Sequence, residues 1–222
     1  MGDKPLTSQD LSVPKGREGG IRGRAAAVKR AMDIVGAVIG LPLSLPLMAV
    51  AAVVIKLDSR GPILFEQMRA GQHGKTFKIY KLRTMVANAE ELLEDLIDLD
   101  ELEEPMFKLK DDPRVTNVGR FLRRWSIDEL PQLYNVLRGE MSLVGPRPEE
   151  TRLVERYSQW HRLRLQAKPG ITGPVQINGR GDLPLEMRVQ LEVEYIDNYS
   201  VWKDLVILLK TVPVVVLGNG SY

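Results

Sequence analysis

Ser126-Ile127-Asp128-Glu129-Leu130-Pro131-Gln132-Leu133-Tyr134-Asn135-Val136-Leu137-Arg138-Gly139-Glu140-Met141-Ser142-Leu143-Val144-Gly145-Pro146-Arg147-Pro148 carries two adjacent carboxylates near one end and an arginine between two prolines at the other. Ser126 to Glu129 fits the S-x-x-E capping box that opens many ordinary helices. Pro131 argues against that simple reading, because inside a helix capped by Ser126 it would lack the N–H owed to the carbonyl of Ile127. Either the helix starts near Leu130, with Pro131 at its first position, or its first turn is distorted. Leu130, Leu133, Tyr134 and Leu137 form one stripe, and Gly139 is the stop. Asp128 and Glu129 then lie at a helix N-terminus, where exposed N–H groups draw a phosphate or its metal. At the other end, Pro146 and Pro148 fix the backbone on both sides of Arg147 and bias it toward an extended shape. A guanidinium aimed this way suits bidentate contact with phosphate oxygens. The alternative is that Gly-Pro-Arg-Pro is only a tight corner.

Composition narrows the class. The chain has 222 residues, 44% of them hydrophobic, which allows one domain and one membrane element. A formal net charge of +2 supplies no global field for nucleic acid. Cysteine is absent and His73 and His161 are the two histidines, which argues against zinc and against a disulfide scaffold. No internal repeat is evident.

The first 26 residues are basic and rich in glycine and serine, and read as a flexible lead or, for the first few, an expression remnant. A membrane element is expected over 27–58. Ala31 to Ile55 would extend about 37 Å as a helix, enough to cross a bilayer core of about 30 Å. Arg22, Arg24, Lys29 and Arg30 precede it, while Lys56 and Arg60 follow. Both ends therefore favour the cytoplasm. Pro42 and Pro46 free the carbonyls of Val38 and Pro42, and Ser44 is placed to return a hydrogen bond. A re-entrant helix that dips and returns is predicted, with a kinked single span as the alternative.

Residues 59–222 read as the catalytic domain. Alternation in Ile63 to Gln67 and Phe77 to Lys81, around Gly71 and Gly74, predicts a β-hairpin. The Gly-rich turn is not a nucleotide P-loop, because the first glycine of that motif would fall at Arg69. Lys81 and Arg83 share a strand face, as phosphate contacts or as a solvated edge. Ala87 to Glu104 is an acidic helical stretch read as a solvated face. Lys108, Lys110, Arg114, Arg120, Arg123 and Arg124 then reverse the sign. Leu153 to Gln166 has the pattern of a basic amphipathic helix, lying on the membrane surface or facing the core. Gly170 to Gly173 and Gln176 to Arg180 are loop chemistry, with Arg180 a further fork. Val201 to Leu217 is apolar but interrupted by Lys203, Asp204, Lys210 and Pro213, and an interfacial helix fits it better than a span.

The blocks SIDELPQL, Asn135-Val136 and MSLVGPRP, together with Lys78 to Met85 (KIYKLRTM), resemble the signature of the bacterial sugar transferases, monotopic phosphoglycosyl transferases acting on polyprenol phosphate. The resemblance runs from about Lys29 to Tyr222. It departs at Leu45, where some relatives have serine, and at Pro174, where relatives often have tryptophan. It implies a predominantly α protein with a short β-hairpin (α+β), monotopic in the membrane, with an N-terminal re-entrant helix broken at Pro42, Ser44 and Pro46 and with interfacial amphipathic helices. It further implies a two-step reaction in which Asp128 attacks the sugar-bearing phosphate of a UDP-sugar and releases UMP. Polyprenol (undecaprenyl) phosphate then takes the sugar phosphate, the first membrane step of exopolysaccharide, capsule or O-antigen synthesis. Glu129 would assist the acceptor or hold Mg2+, and Glu192 falls where relatives have an acid near nucleotide and metal. Asp128, Glu129 and Glu192 are thus the candidate metal ligands. Lys81, Arg83, Arg123, Arg147, Arg180 and Glu192 are the candidate substrate contacts. The implied partners are a UDP-sugar, polyprenol phosphate and membrane lipids at the cytoplasmic face of the bacterial inner membrane, without nucleic acid; homo-oligomerisation and the sugar are left open. A Mg-dependent phosphohydrolase of nucleotide sugars and a non-catalytic membrane adaptor are the rival readings.

Overall fold

Gly23–Asp58 forms a single α-helix, α1, that starts ahead of residue 27 and continues unbroken through Pro42 and Pro46. A computed structural model describes residues 20–96, 112–179 and 183–217. The first 19 residues, the acidic stretch beyond Leu96, Lys108, Lys110 and Arg180 lie outside the described residues. Ser44 donates to the Leu41 carbonyl at 2.8 Å, so its hydroxyl does not serve the two carbonyls that the prolines leave without an N–H.

One stripe of α1 is buried, comprising Lys29, Asp33, Ala37, Ser44, Ala51 and Ile55. Polar clamps hold its N-terminal part. Lys29 Nζ donates to Val144 O at 2.8 Å and pairs with Asp204 Oδ2 at 2.6 Å. Arg30 donates to the carbonyls of Val136 and Leu137 at 2.6 and 2.8 Å. Both carbonyls belong to the last turn of the helix that ends at Gly139, which leaves them short of the usual i+4 N–H partners. Asp33 Oδ1 accepts from Ser142 Oγ at 2.8 Å and Leu143 N at 2.9 Å. At the other end, Arg83 donates to Ser59 O at 2.7 Å and Arg60 O at 2.8 Å. Ala51 and Ile55 pack there against Leu82, Leu122 and Ile127. Both ends of α1 are therefore fastened to one body. Its other face is exposed and apolar, with Val35, Val38, Ile39, Leu43, Val50, Val53 and Leu57. A contiguous apolar face of this size marks a surface that water does not cover in use.

β1 (Leu64–Ala70) and β2 (Thr76–Leu82) form the expected antiparallel hairpin, in register from Leu64 opposite Leu82 to Ala70 opposite Thr76. Two pairings have no local signature. β3 (Ser142–Val144) runs parallel to β5 (Gly170–Thr172), and β4 (Glu149–Glu150) adds an antiparallel edge to β1. Helices supply the rest: α2 (Ala89–Leu96), α3 (Asn117–Arg124), α4 (Gln132–Arg138), α5 (Thr151–Glu155), α6 (Pro174–Ile177), α7 (Leu185–Asp197) and α8 (Val201–Leu217). Thr116 caps α3 by accepting from Gly119 N at 3.0 Å.

Leu153 to Gln166 is not one amphipathic helix. It is α5, a loop and a 3-10 segment His161–Gln166, with Leu153, Val154, Tyr157, Leu163 and Leu165 buried. Of the two readings, core-facing and membrane-surface, the core one holds, because acids at 149 and 192 neutralise Arg164 inside the fold. α8 keeps an apolar stripe outward, Trp202, Leu205, Leu209, Val212 and Val216, while Asp204 and Ile207 face in.

Candidate active site

The acid pair is set by a local anomaly. Ser126 adopts φ 53, ψ 25, a left-handed conformation, and makes no side-chain cap. For a residue with a Cβ this costs about 1–2 kcal/mol. The capping-box reading fails for that reason. The chain makes a 3-10 turn over Ile127–Glu129, then starts α4 at Gln132 with Pro131 just outside it. Gly139 closes α4 at φ 80, as its position predicts.

Asp128 and Glu129 line a cavity of about 880 Å³, together with Lys81, Arg123, Arg147 and Arg188. Glu129 Oε1 lies 3.1 Å from Lys81 Nζ and 3.4 Å from Arg147 Nη2. The Arg147 side chain keeps 41% exposure while that of Glu129 keeps 16%, so the guanidinium is open to an incoming ligand even though one of its nitrogens meets Glu129. Arg123 is oriented by donating Nε–H to Thr84 Oγ1 at 2.9 Å. Burial pushes the Asp128 carboxyl above its ordinary range, and Glu129 beside it pushes further; Lys81, Arg123 and Arg147 pull the other way. Burial lowers Lys81, against the attraction of Glu129. Glu129 in turn raises Arg147.

Arg147 is held through its backbone. Gly145 and Gly170 touch backbone to backbone, so that a side chain at either would run into the other strand. Gly145 N donates to Thr172 O at 2.9 Å and Gly170 N to Pro146 O at 2.8 Å. Arg147 N donates to Glu192 Oε1 at 2.8 Å. Arg164 Nη2 donates to the Arg147 carbonyl at 3.2 Å and to the same Glu192 oxygen at 2.9 Å.

The candidates named from the sequence therefore divide. Asp128, Glu129, Lys81, Arg123 and Arg147 come together on one cavity. Arg83 also borders it, but its guanidinium is taken up by the C-terminal end of α1. Glu192 is fully buried, engaged by Arg164 and Arg147 N, and is not among the residues facing the cavity. Arg180 lies outside the described residues. Sequence reasoning missed Thr84, Arg164 and Arg188. Arg164 sits among alternating basic residues that look solvated, and its partners lie 15 and 28 positions away.

Magnesium asks for one or two carboxylates alongside substrate phosphates. Asp128 and Glu129 are two such groups on the cavity wall and fit that need. No group of three or more His, Asp or Glu side chains suited to a metal occurs among the described residues.

The pattern of the family described as bacterial sugar transferase matches residues 24–218. The chain belongs to the bacterial sugar transferase family. The chain is 46% identical over 194 residues to the galactosyl transferase CpsE of Streptococcus agalactiae serotype III, covering 87% of this chain and 43% of the relative. It is 45% identical over 199 residues to the undecaprenyl-phosphate galactose phosphotransferase of Salmonella typhimurium, covering 88% of this chain and 42% of the relative. It is 41% identical over 219 residues to the exopolysaccharide production protein ExoY of Rhizobium meliloti, covering 97% of this chain and 96% of that protein. The chain thus spans less than half of the first two relatives and nearly all of the third.

Proposed function

We propose that this sugar transferase moves a sugar 1-phosphate from a UDP-sugar to polyprenol (undecaprenyl) phosphate through a covalent intermediate on Asp128. The observation that carries the reading is an acid pair, Asp128 buried and Glu129 half-buried beside it, faced by Lys81, Arg123 and Arg147 in a domain that fastens both ends of an apolar helix. An Asp128 carboxylate oxygen bonds to the sugar-bearing phosphorus, and the bridging P–O bond breaks with release of UMP. An oxygen of the lipid phosphate then displaces Asp128, leaving a polyprenyl diphosphate sugar and the free carboxylate. Arg147 and Arg123 steady phosphate oxygens as charge moves onto the leaving group. Asp128 and Glu129 would hold Mg2+, which supplies further neutralisation of the pyrophosphate.

The membrane reading follows from α1. It is the one helix among the described residues long and apolar enough to cross a membrane, and its 36 residues would extend about 54 Å. A crossing would carry one end about 30 Å from the other side, yet both ends are bonded to one body. On this reading α1 lies along the domain and sinks its exposed apolar face into one leaflet, assigned to the cytoplasmic side, and the stripe on α8 lies at the interface. The names of the relatives, with galactose and undecaprenyl phosphate among them, agree with this donor and acceptor class.

The test is UMP release from detergent-purified protein with Mg2+ and a panel of UDP-sugars. A stoichiometric burst without lipid, turnover with polyprenol phosphate and silence in Asp128→Asn support the proposal. Steady UMP and free sugar phosphate without lipid would replace it with hydrolysis.

A further inference from the structure

Most of the polar groups bordering the cavity are already matched. Thr172 and Thr211 hydroxyls lie 2.7 Å apart, and Thr211 also donates to Ile207 O at 2.8 Å. Arg114 is paired with Asp112 at 2.6 Å, and Lys81 and Arg147 meet Glu129. Gln176 is different. It borders the cavity at 8% exposure, and both its Oε1 and its Nε2 are buried without a partner among the described residues. A folded protein does not leave both ends of a buried amide unmet without cause.

The position of this amide says what would meet it. Gln176 stands on α6, and its Oε1 reaches back over Gly173, where an added Cβ would come within 3.1 Å of it. That same Cβ would run into the Gly145 carbonyl, so the amide lies beside the turn that leads into Pro146-Arg147. If Arg147 steadies the sugar-bearing phosphate, as the transferase reading has it, a group beside this turn is within reach of the sugar. Phosphate oxygens only accept hydrogen bonds and would match Nε2 while opposing Oε1. Isoprenoid carbon would match neither. A hydroxyl both donates and accepts, so a vicinal pair satisfies the amide at both ends.

We infer that Gln176 binds hydroxyls of the donor's sugar and contributes to the choice of sugar. The inference rests on the transferase reading for the identity of the donor. Its test compares binding of UDP-glucose, UDP-galactose and UDP to the full chain in detergent, for wild type and Gln176→Met, with melting temperature as a second readout. Expected is a 10- to 100-fold loss of affinity for at least one UDP-sugar in Gln176→Met, unchanged affinity for UDP, and a melting temperature at or above that of wild type. The last follows because the substitution removes two unmet buried polar atoms. Equal losses for UDP and UDP-sugars would mean the amide reads the nucleotide, and would overturn the inference. So would unchanged binding, or a lowered melting temperature with a general loss. If Gln176→Met does not fold, Gln176→Leu is read by the same criteria. A wild type that binds UDP-sugars but transfers from none of them would sink the transferase reading instead, while the Gln176→Met comparison still decides the contact.

Discussion

Arg164 and Glu192 lie 2.6 Å apart in the core and between them hold both peptide groups of Arg147. Glu192 takes the N–H and Arg164 supplies a donor to the carbonyl, so a buried ion pair sets the direction of a fork that faces the cavity. Burial alone would raise Glu192 and lower Arg164; each opposes that in the other.

Breaking this pair from one side strands a charge with 2% exposure or less. Glu192→Gln is expected to destabilise the protein by about 3–5 kcal/mol, seen as a lowered melting temperature, and to reduce kcat/KM because Arg147 loses its backbone anchor. The double change Arg164→Met/Glu192→Leu removes both charges. It should recover much of the melting temperature, since apolar replacement of a buried pair is often neutral, but not the activity. Recovery of both would show that the pair serves packing alone.

Why the sequence disclosed some of this and not the rest follows from range. The hairpin was legible because β1 and β2 alternate and their partners are close in the chain. Asp128, Glu129 and Arg147 were legible because two prolines and a misplaced capping box break local rules. Arg83 and Arg164 were not, since a charged side chain has no local mark of burial. Arg83 meets carbonyls 23 and 24 positions earlier, and Arg164 an acid 28 positions later. The parallel β3–β5 pair joins strands separated by β4, α5 and a 3-10 segment, and no alternation in three-residue strands announces it. Ser126 shows the same limit, because its letter favours a helix cap while the backbone takes a left-handed turn there, between α3 and the 3-10 segment that carries Asp128.

Asp128→Asn should separate stability from activity. In the folded protein the Asp128 carboxyl has a raised pKa, chiefly through burial. Its contribution to stability is therefore full at pH below the ordinary carboxylate range and is lost as pH rises through the raised folded value. Asparagine mimics the protonated form at every pH. The variant is expected to match wild type in acid and to melt at a higher temperature near neutrality. Transfer should fall by more than about a thousandfold. A variant that melts lower at neutral pH would show that the ionised carboxylate is a net stabiliser.

The same raised pKa places the acid limb of activity. A carboxylate nucleophile must be ionised, so kcat/KM for UMP release should decline with acid at a pH above the ordinary carboxylate range, because kcat/KM reports the free enzyme. An acid limb at ordinary carboxylate pH would mean that the groups pulling downward, Lys81, Arg123 and Arg147, outweigh burial.

Arg147→Lys keeps the charge and removes the fork. The Arg147 side chain is 41% exposed, so little stability should be lost, and the melting temperature is expected to stay within a degree or two of wild type. A charge-assisted hydrogen bond is worth about 1.5–3 kcal/mol, which predicts a fall in kcat/KM of roughly 10- to 150-fold. An unchanged kcat/KM would reduce Gly145-Pro146-Arg147-Pro148 to a structural corner.

The path of α1 can be tested with single cysteines, since the chain has none of its own. Arg24 and Asp58 are exposed at the two ends of the helix, and Leu43, at 75% exposure, faces away from the domain near its middle. If α1 enters and leaves one leaflet, Arg24→Cys and Asp58→Cys both react with an impermeant maleimide in inverted membrane vesicles, and neither does in intact cells. Leu43→Cys reacts in neither until detergent is added. A membrane-crossing helix would expose one end in each preparation. To do so it would have to give up either the Lys29, Arg30 and Asp33 bonds or the Arg83 clamp. Breaking the clamp by Arg83→Ala should therefore loosen the C-terminal end of α1 and lower the melting temperature. Both cysteines should still label from the same side, because the N-terminal clamp and the apolar packing of Ala51 and Ile55 remain.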